Sequence, residues 1–180
     1  PLGKPDVAGV IWYQGESNAH NIELHEQLFP MLTESWRKEL RRLDLPFIFV
    51  QLSSLNRPSW PEFRDSQRRL AERVPYTYMA VSSDKGDSLD VHPRDKQPIG
   101  HRLALQALKN IYGHNITAEG PRPLKAIGAS DGRVMVEFAP LLGNLTTSDG
   151  NAPQTFELAE TEGMYRCAEA AIEGNSVILR

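Results

Sequence analysis

The 180-residue chain is 40% hydrophobic and 24% charged, with a formal net charge of −3, so it has the composition of a globular protein with chain enough for one domain, or one domain and a fragment. No basic surplus provides an electrostatic footprint for nucleic acid, which excludes that class of partner. Cys167 is the single cysteine, which rules out an internal disulfide and a cysteine-based metal site, and no stretch is long and apolar enough to cross a bilayer as a helix.

Val7 to Trp12 is apolar and β-branched and stops at Gln14-Gly15-Glu16-Ser17-Asn18. It reads as a buried strand of a parallel sheet followed by a polar loop. Ile22 to Leu43 has helical spacing, with Leu24, Leu28, Met31 or Leu32, Ser35 or Trp36, and Leu40 on an inward stripe. Arg37, Lys38, Arg41 and Arg42 suit its negative dipole end. Pro30 predicts a kink or a split into two helices, since it lacks an N–H and clashes with the preceding turn. Phe47 to Leu52 is a second strand and Ser53 to Pro58 its loop. Pro61 to Val74 is a helix with Phe63, Leu70 and Val74 inward and Arg64, Arg68, Arg69 and Arg73 on a solvated face. Tyr76 to Val81 is a third strand, opening into the polar loop Ser82 to Pro93. Gln97 to Tyr112 is a closing helix that stops at Gly113.

Strand and helix in alternation predict a parallel sheet with right-handed crossovers, which brings the loops after the strands to one edge. Ligands bind at that edge in open α/β sheets. Beyond Asn115 the texture changes. Gly120-Pro121-Arg122-Pro123 reads as a linker, and short alternating segments follow at Ala126 to Ala129, Val134 to Phe138, Thr155 to Leu158 and Val177 to Leu179, with turn signals at Asp131-Gly132 and Gly174-Asn175. Residues 1–117 are therefore expected to form an α/β region, and 118–180 a small β-sandwich-like accessory region, incomplete at its end.

Trp12-Tyr13-Gln14-Gly15-Glu16-Ser17-Asn18, taken with Asp90-Val91-His92-Pro93-Arg94-Asp95-Lys96-Gln97 and Gly100-His101-Arg102-Leu103-Ala104, resembles the sialate O-acetylesterase family of SGNH-type carbohydrate esterases. The resemblance covers the first two thirds of the chain well. It implies a three-layer SGNH-hydrolase-like fold, represented in part. It also implies hydrolysis of acetyl esters on sugars by serine-type acyl transfer without metal or organic cofactor, in an extracytoplasmic setting. Family members carry the nucleophilic serine in a Gly-Gln-Ser-Asn-type motif ahead of the Gln-Gly-Glu motif. This chain has no such segment, so the nucleophile is expected outside it, and the isolated chain is expected to be inactive and to leave a sheet edge or apolar face open for a complementing segment, partner chain or second copy.

Acyl transfer needs a nucleophile, a base, a group orienting the base and donors aimed at the oxyanion. His92, in a polar loop beyond a strand and held by Pro93, is the candidate base. Asp90 is the candidate orienting acid, with Asp84 and Asp87 as competitors, because the common pattern of the family separates Asp and His by two residues and here only Val91 intervenes. The bland alternative for Asp90 is a loop carboxylate that caps a turn through its own backbone. The side-chain amide of Gln14 and the backbone N–H of Gly15 are candidate oxyanion or substrate donors, Glu16 a tether for a neighbouring loop, and Asn18 a ligand contact or a helix cap. Ser17 is an alternative nucleophile, since Gly15-Glu16-Ser17-Asn18-Ala19 approaches the elbow of α/β-hydrolases, although Ala19 replaces its second glycine. A third reading, a non-catalytic carbohydrate-binding module, rests on Trp60 or Tyr165 stacking on sugar.

Overall fold

In the computed structural model, which describes residues 6–180 except 142 and 162, the three apolar runs become one parallel sheet. Residues 1–5 of the first predicted region lie outside the described residues. Strands β1 (Val10–Trp12), β2 (Phe47–Val50) and β3 (Thr77–Ala80) lie in that order, Val10 opposite Phe47 and Phe47 opposite Thr77. Helix α1 (Ile22–Leu40) links β1 to β2, α2 (Trp60–Arg73) links β2 to β3, and α3 (Gln97–Asn110) follows β3. Side chains alternate across a strand, and the core follows that period. Phe49 packs with Phe29 of α1 and Leu70 of α2, whereas Ile48 and Val50 pack with Ile99 and Leu103 of α3. Helices thus cover both faces. The chain divides into two units, Pro1–Glu119 and Gly120–Arg180.

Helix α1 departs from expectation in three ways. The helix runs unbroken through Pro30. Proline 30 cannot donate to the carbonyl of Glu26, four residues back, and a guanidinium N–H of Arg73, on α2, donates to that oxygen instead at 2.9 Å. The buried stripe is His25, Phe29, Thr33 and Arg37, while Leu24, Leu28, Met31 and Trp36 face outward, Met31 being 62% exposed. Apolar content alone marked the wrong face, because Arg37 is a core residue. Its guanidinium donates to the carbonyls of Leu45 (3.0 Å), Pro75 (2.8 Å) and Tyr76 (3.2 Å), so it closes the amino edge of the sheet instead of sitting at a solvated helix end. Nor is the arginine face of α2 simply solvated: Arg69 pairs with Glu26 and Asp65, and Arg68 with Asp65 and Glu72.

Trp36 of α1 lies edge-on to Trp12 of β1, an edge strand of the described sheet. Ile11 is 65% exposed there. A groove of about 510 Å³ runs between Gly9, Val10 and Ile11 on one side and Ser35, Trp36, Glu39 and Leu40 on the other. It lies toward the amino end of β1, away from Gln14.

The second unit is antiparallel. Strands β4 (Pro123–Gly128), β5 (Val134–Phe138), β8 (Ala170–Glu173) and β9 (Ser176–Leu179) form a sheet in the order β4-β5-β9-β8, and β6 (Glu157–Ala159) pairs with β7 (Tyr165–Cys167). Gly132 (φ 84°) and Gly174 (φ 62°) turn the β4–β5 and β8–β9 hairpins, as their sequence signals predict. Leu145, Ala170, Val177 and Leu179 form its core. Strands β7 (Tyr165–Cys167), exposed throughout, and β8, short and rich in alanine, were not anticipated.

Candidate active site

Because β1, β2 and β3 are parallel, the segments leaving Trp12, Val50 and Ala80 emerge at one edge. The first turns sharply. Gly15 is buried at φ 146°, a conformation open to glycine alone, and a Cβ there would come within 3.3 Å of the Phe63 ring. The Gly15 carbonyl accepts from Asn18 N at 2.9 Å, closing a 3-10 turn over Glu16–Asn18. Asn18 does not cap α1: Asn21 is the cap, its Oδ1 accepting from Leu24 N at 3.0 Å. Gln14 and Ser17 are exposed, and Glu16 and Asn18 half-buried. The strained backbone that a nucleophile elbow needs is at Gly15, and Ser17 has no positive φ.

The second segment is tied to α2. Leu52 N donates to Gln67 Oε1 at 2.9 Å, Gln51 Nε2 to Arg64 O at 2.9 Å, and Trp60 Nε1 to Ser53 O at 2.6 Å. Trp60 is only 2% exposed, so it cannot stack on a sugar. Tyr165 is exposed.

The third segment carries the candidate base. One oxygen of Asp90 accepts the backbone N–H of His92 at 2.9 Å and lies 3.1 Å from its Nδ1. The two-residue spacing thus lets one carboxylate close a local turn and meet the ring at once, so the turn-capping and orienting readings of Asp90 describe one geometry. The His92 N–H bond, followed by the ring contact, holds the Asp90 carboxyl below the usual carboxylate range. With Nδ1 donating to Asp90, Nε2 keeps its lone pair and can accept a proton. The His92 side chain is 79% exposed. Val91 packs against Ala19, Leu52, Trp60 and Phe63, the cluster on which Tyr13 and Ile22 also rest, so the first and third segments share one support. Among the described residues no hydrogen bond joins His92 to Gln14, Glu16 or Ser17.

The competing acids are occupied. Asp84 takes both ends of the Arg102 guanidinium at 2.6 and 2.8 Å, which is the chief reason its carboxyl is held low. Asp87 accepts from Leu89 N at 2.8 Å. Arg102 stood within a motif that carried the resemblance, yet its partner eighteen residues away left no sign in the sequence. Gly86 was missed as well: a Cβ there would overlap the backbone of Ser54. Tyr13 is pushed up by burial and then by the charge of Glu16, while Lys96 Nζ lies 5.3 Å from the centre of its ring. Among the described residues no three His, Cys, Asp or Glu side chains are grouped to hold a metal.

Residues 2–109 match the family described as carbohydrate esterase, sialic acid-specific acetylesterase. Sialate O-acetylesterase of Mus musculus is 39% identical over 69% of this chain, and that of Homo sapiens 38% identical over 69%. The chain spans only 27% and 28% of those proteins' lengths. A crystal structure of a carbohydrate acetylesterase from Xanthomonas citri superposes with a TM-score of 0.87 at 33% identity, covering 97% of this chain and 42% of that one. With residues 2–109, more than half of the chain, matched to it, this chain belongs to the sialic acid-specific acetylesterase family of carbohydrate esterases.

Proposed function

We propose that this chain supplies the base, its orienting acid and the oxyanion-side donors of a serine-type carbohydrate O-acetylesterase with the three-layer architecture of SGNH hydrolases. The observation that carries the reading is the contact between Asp90 Oδ1 and His92 Nδ1 at 3.1 Å, with no hydrogen bond to Nε2 among the described residues. In this mechanism a serine hydroxyl attacks the acetyl carbonyl and His92 Nε2 takes its proton. Asp90 keeps the ring in the accepting tautomer and stabilises the imidazolium. The N–H of Gly15 and the amide of Gln14 stabilise the oxyanion. Collapse of the tetrahedral intermediate expels the sugar oxygen, which receives the proton from His92. Water, deprotonated by His92, then attacks the acetyl-enzyme, and acetate leaves. Ser17, exposed in its 3-10 turn and without a bond to His92, does not fit the nucleophile's part. The reading assigns that part to a serine of polypeptide beyond these 180 residues, in keeping with relatives of which this chain spans little more than a quarter. The names of those relatives make O-acetylated sialic acid the first substrate to try.

The test is turnover of p-nitrophenyl acetate and an O-acetylated sialic acid by the full-length protein. His92→Ala should lower kcat by at least about 10³-fold, and Asp90→Asn by less, since it removes orientation and charge but not the base. Near-normal kcat in the His92 variant would refute the assignment. Wild-type kcat in Asp90→Asn would remove the orienting role from Asp90.

A further inference from the structure

His92 is 79% exposed, and its one recorded side-chain bond, to Asp90, lies within its own loop. Among the described residues no hydrogen bond from outside the loop reaches the imidazole, so its place relative to Gln14 and Gly15 is inherited from whatever anchors the segment from Ser82 to Lys96. That segment begins where β3 ends and finishes where α3 begins. Arg102, in the second turn of α3, reaches back across it. One terminal nitrogen donates to the carbonyl of Val81 at 2.8 Å and to Asp84 Oδ1 at 2.6 Å, while the other donates to Asp84 Oδ2 at 2.8 Å. The start of the loop is thereby fastened to the helix that follows its end. A bidentate guanidinium–carboxylate pair fixes orientation as well as distance, which a lysine cannot do.

We propose that the Arg102–Asp84 clamp is a positioning device of the esterase: by closing the two ends of the 82–96 loop on each other, it works with the packing of Val91 and the contacts with Ser54 to hold the imidazole of His92 at its working place. The inference rests on His92 being the base. The clamp touches neither His92 nor Asp90; it acts by narrowing the positions the loop can take. Misplacing a catalytic group by about an ångström costs on the order of 10²-fold in rate, so loss of the clamp should lower kcat by about ten- to a hundred-fold while KM changes little.

The experiment uses the full-length protein with p-nitrophenyl acetate and measures Arg102→Ala, Arg102→Lys and Asp84→Asn beside His92→Ala. The expected result is a kcat defect in Arg102→Ala with KM within about two-fold of wild type, a smaller defect in Arg102→Lys and Asp84→Asn, and partial recovery of Arg102→Ala in millimolar guanidinium, which reoccupies the gap beside Asp84. A merely structural arginine would show lost folded protein without that recovery. Arg102→Ala and Arg102→Lys both within two-fold of wild-type kcat, or a kcat loss that guanidinium leaves untouched, would overturn the proposal. If Arg102→Ala does not fold, the Lys and Asn variants decide by the same kcat criterion. Should His92→Ala itself retain activity, the assignment of the base fails, and that outcome is separate from an inert clamp beside an essential His92.

Discussion

Gly86→Ala is the sharpest perturbation of the loop that carries His92. Gly86 has φ −79° and ψ 172°, an extended backbone that alanine adopts freely, so the substitution introduces no dihedral strain and its whole effect is steric. The added Cβ would overlap Ser54 N, Cα and O. Those atoms are backbone and cannot swing aside as the end of a long side chain would. Carbon contacts settle at about 3.5–4.0 Å, so the two loops must part by roughly an ångström. Three hydrogen bonds near the crossing resist this: Ser54 Oγ to Ser83 O, Asn56 N to Ser88 O at 3.0 Å, and Ser82 Oγ to Gln51 O at 2.6 Å. Overpacking of this kind costs about 1–3 kcal/mol, and a shift of that size at the base should lower kcat by about 10²-fold. The assays are the urea unfolding midpoint and p-nitrophenyl acetate turnover of the full-length protein. Gly100→Ala is the control. That glycine is exposed in α3, nothing lies near its missing Cβ, and alanine should stabilise the helix by about 0.5–1 kcal/mol without touching kcat. Wild-type stability and turnover in Gly86→Ala would show that the crossing is slack and the loop positioned by something else.

Arg73→Ala should destabilise the protein by about 0.5–1.5 kcal/mol, because it removes the donor to the carbonyl that Pro30 leaves unbonded. In a Pro30→Ala background the restored N–H takes over, so a double-mutant cycle read by chemical denaturation should give a coupling of about 0.5–1 kcal/mol; strict additivity would show that Arg73 acts elsewhere. Glu26 is held below its ordinary value of 4.5, first by the hydrogen bond from Arg69. A carboxyl depressed on folding contributes stability above its unfolded value and loses it as the pH falls through the folded value. Glu26→Gln should therefore lower Tm at pH 6 and converge on wild type between pH 4.5 and the lower folded value; a Tm difference constant from pH 6 to pH 3 would contradict the linkage.

Strand and helix positions in the first unit, and the glycine turns of two hairpins in the second, were legible in the sequence to within a few residues because they rest on local signals: apolar runs for β1 to β3, a 3.6-residue period for the helices and glycine at the turns. The His92–Asp90 contact was legible for the same reason, since two residues of spacing suffice for one carboxylate oxygen to meet both the backbone N–H and the ring. Where a partner came from elsewhere in the chain, local signals failed. The apolar spacing marked Leu24, Leu28, Met31 or Leu32, Ser35 or Trp36, and Leu40 as the inner face of α1; of these Leu40 does pack on Val10, Leu45 and Phe47, but the buried stripe runs through Arg37, whose charge is tolerated because three carbonyls from two other segments receive it. Pro30 predicted a break, and the helix continues because Arg73, forty-three residues on, supplies the lost donor. Arg102 with Asp84 and Gly86 against Ser54 are invisible in one dimension for the same reason: the first depends on how α3 packs back beside the end of β3, the second on parallel β2 and β3 delivering their loops to one edge. A residue's type and its neighbours in sequence determine which hydrogen bonds and contacts it is able to make; only the tertiary structure decides which groups come within the few ångströms over which those interactions act.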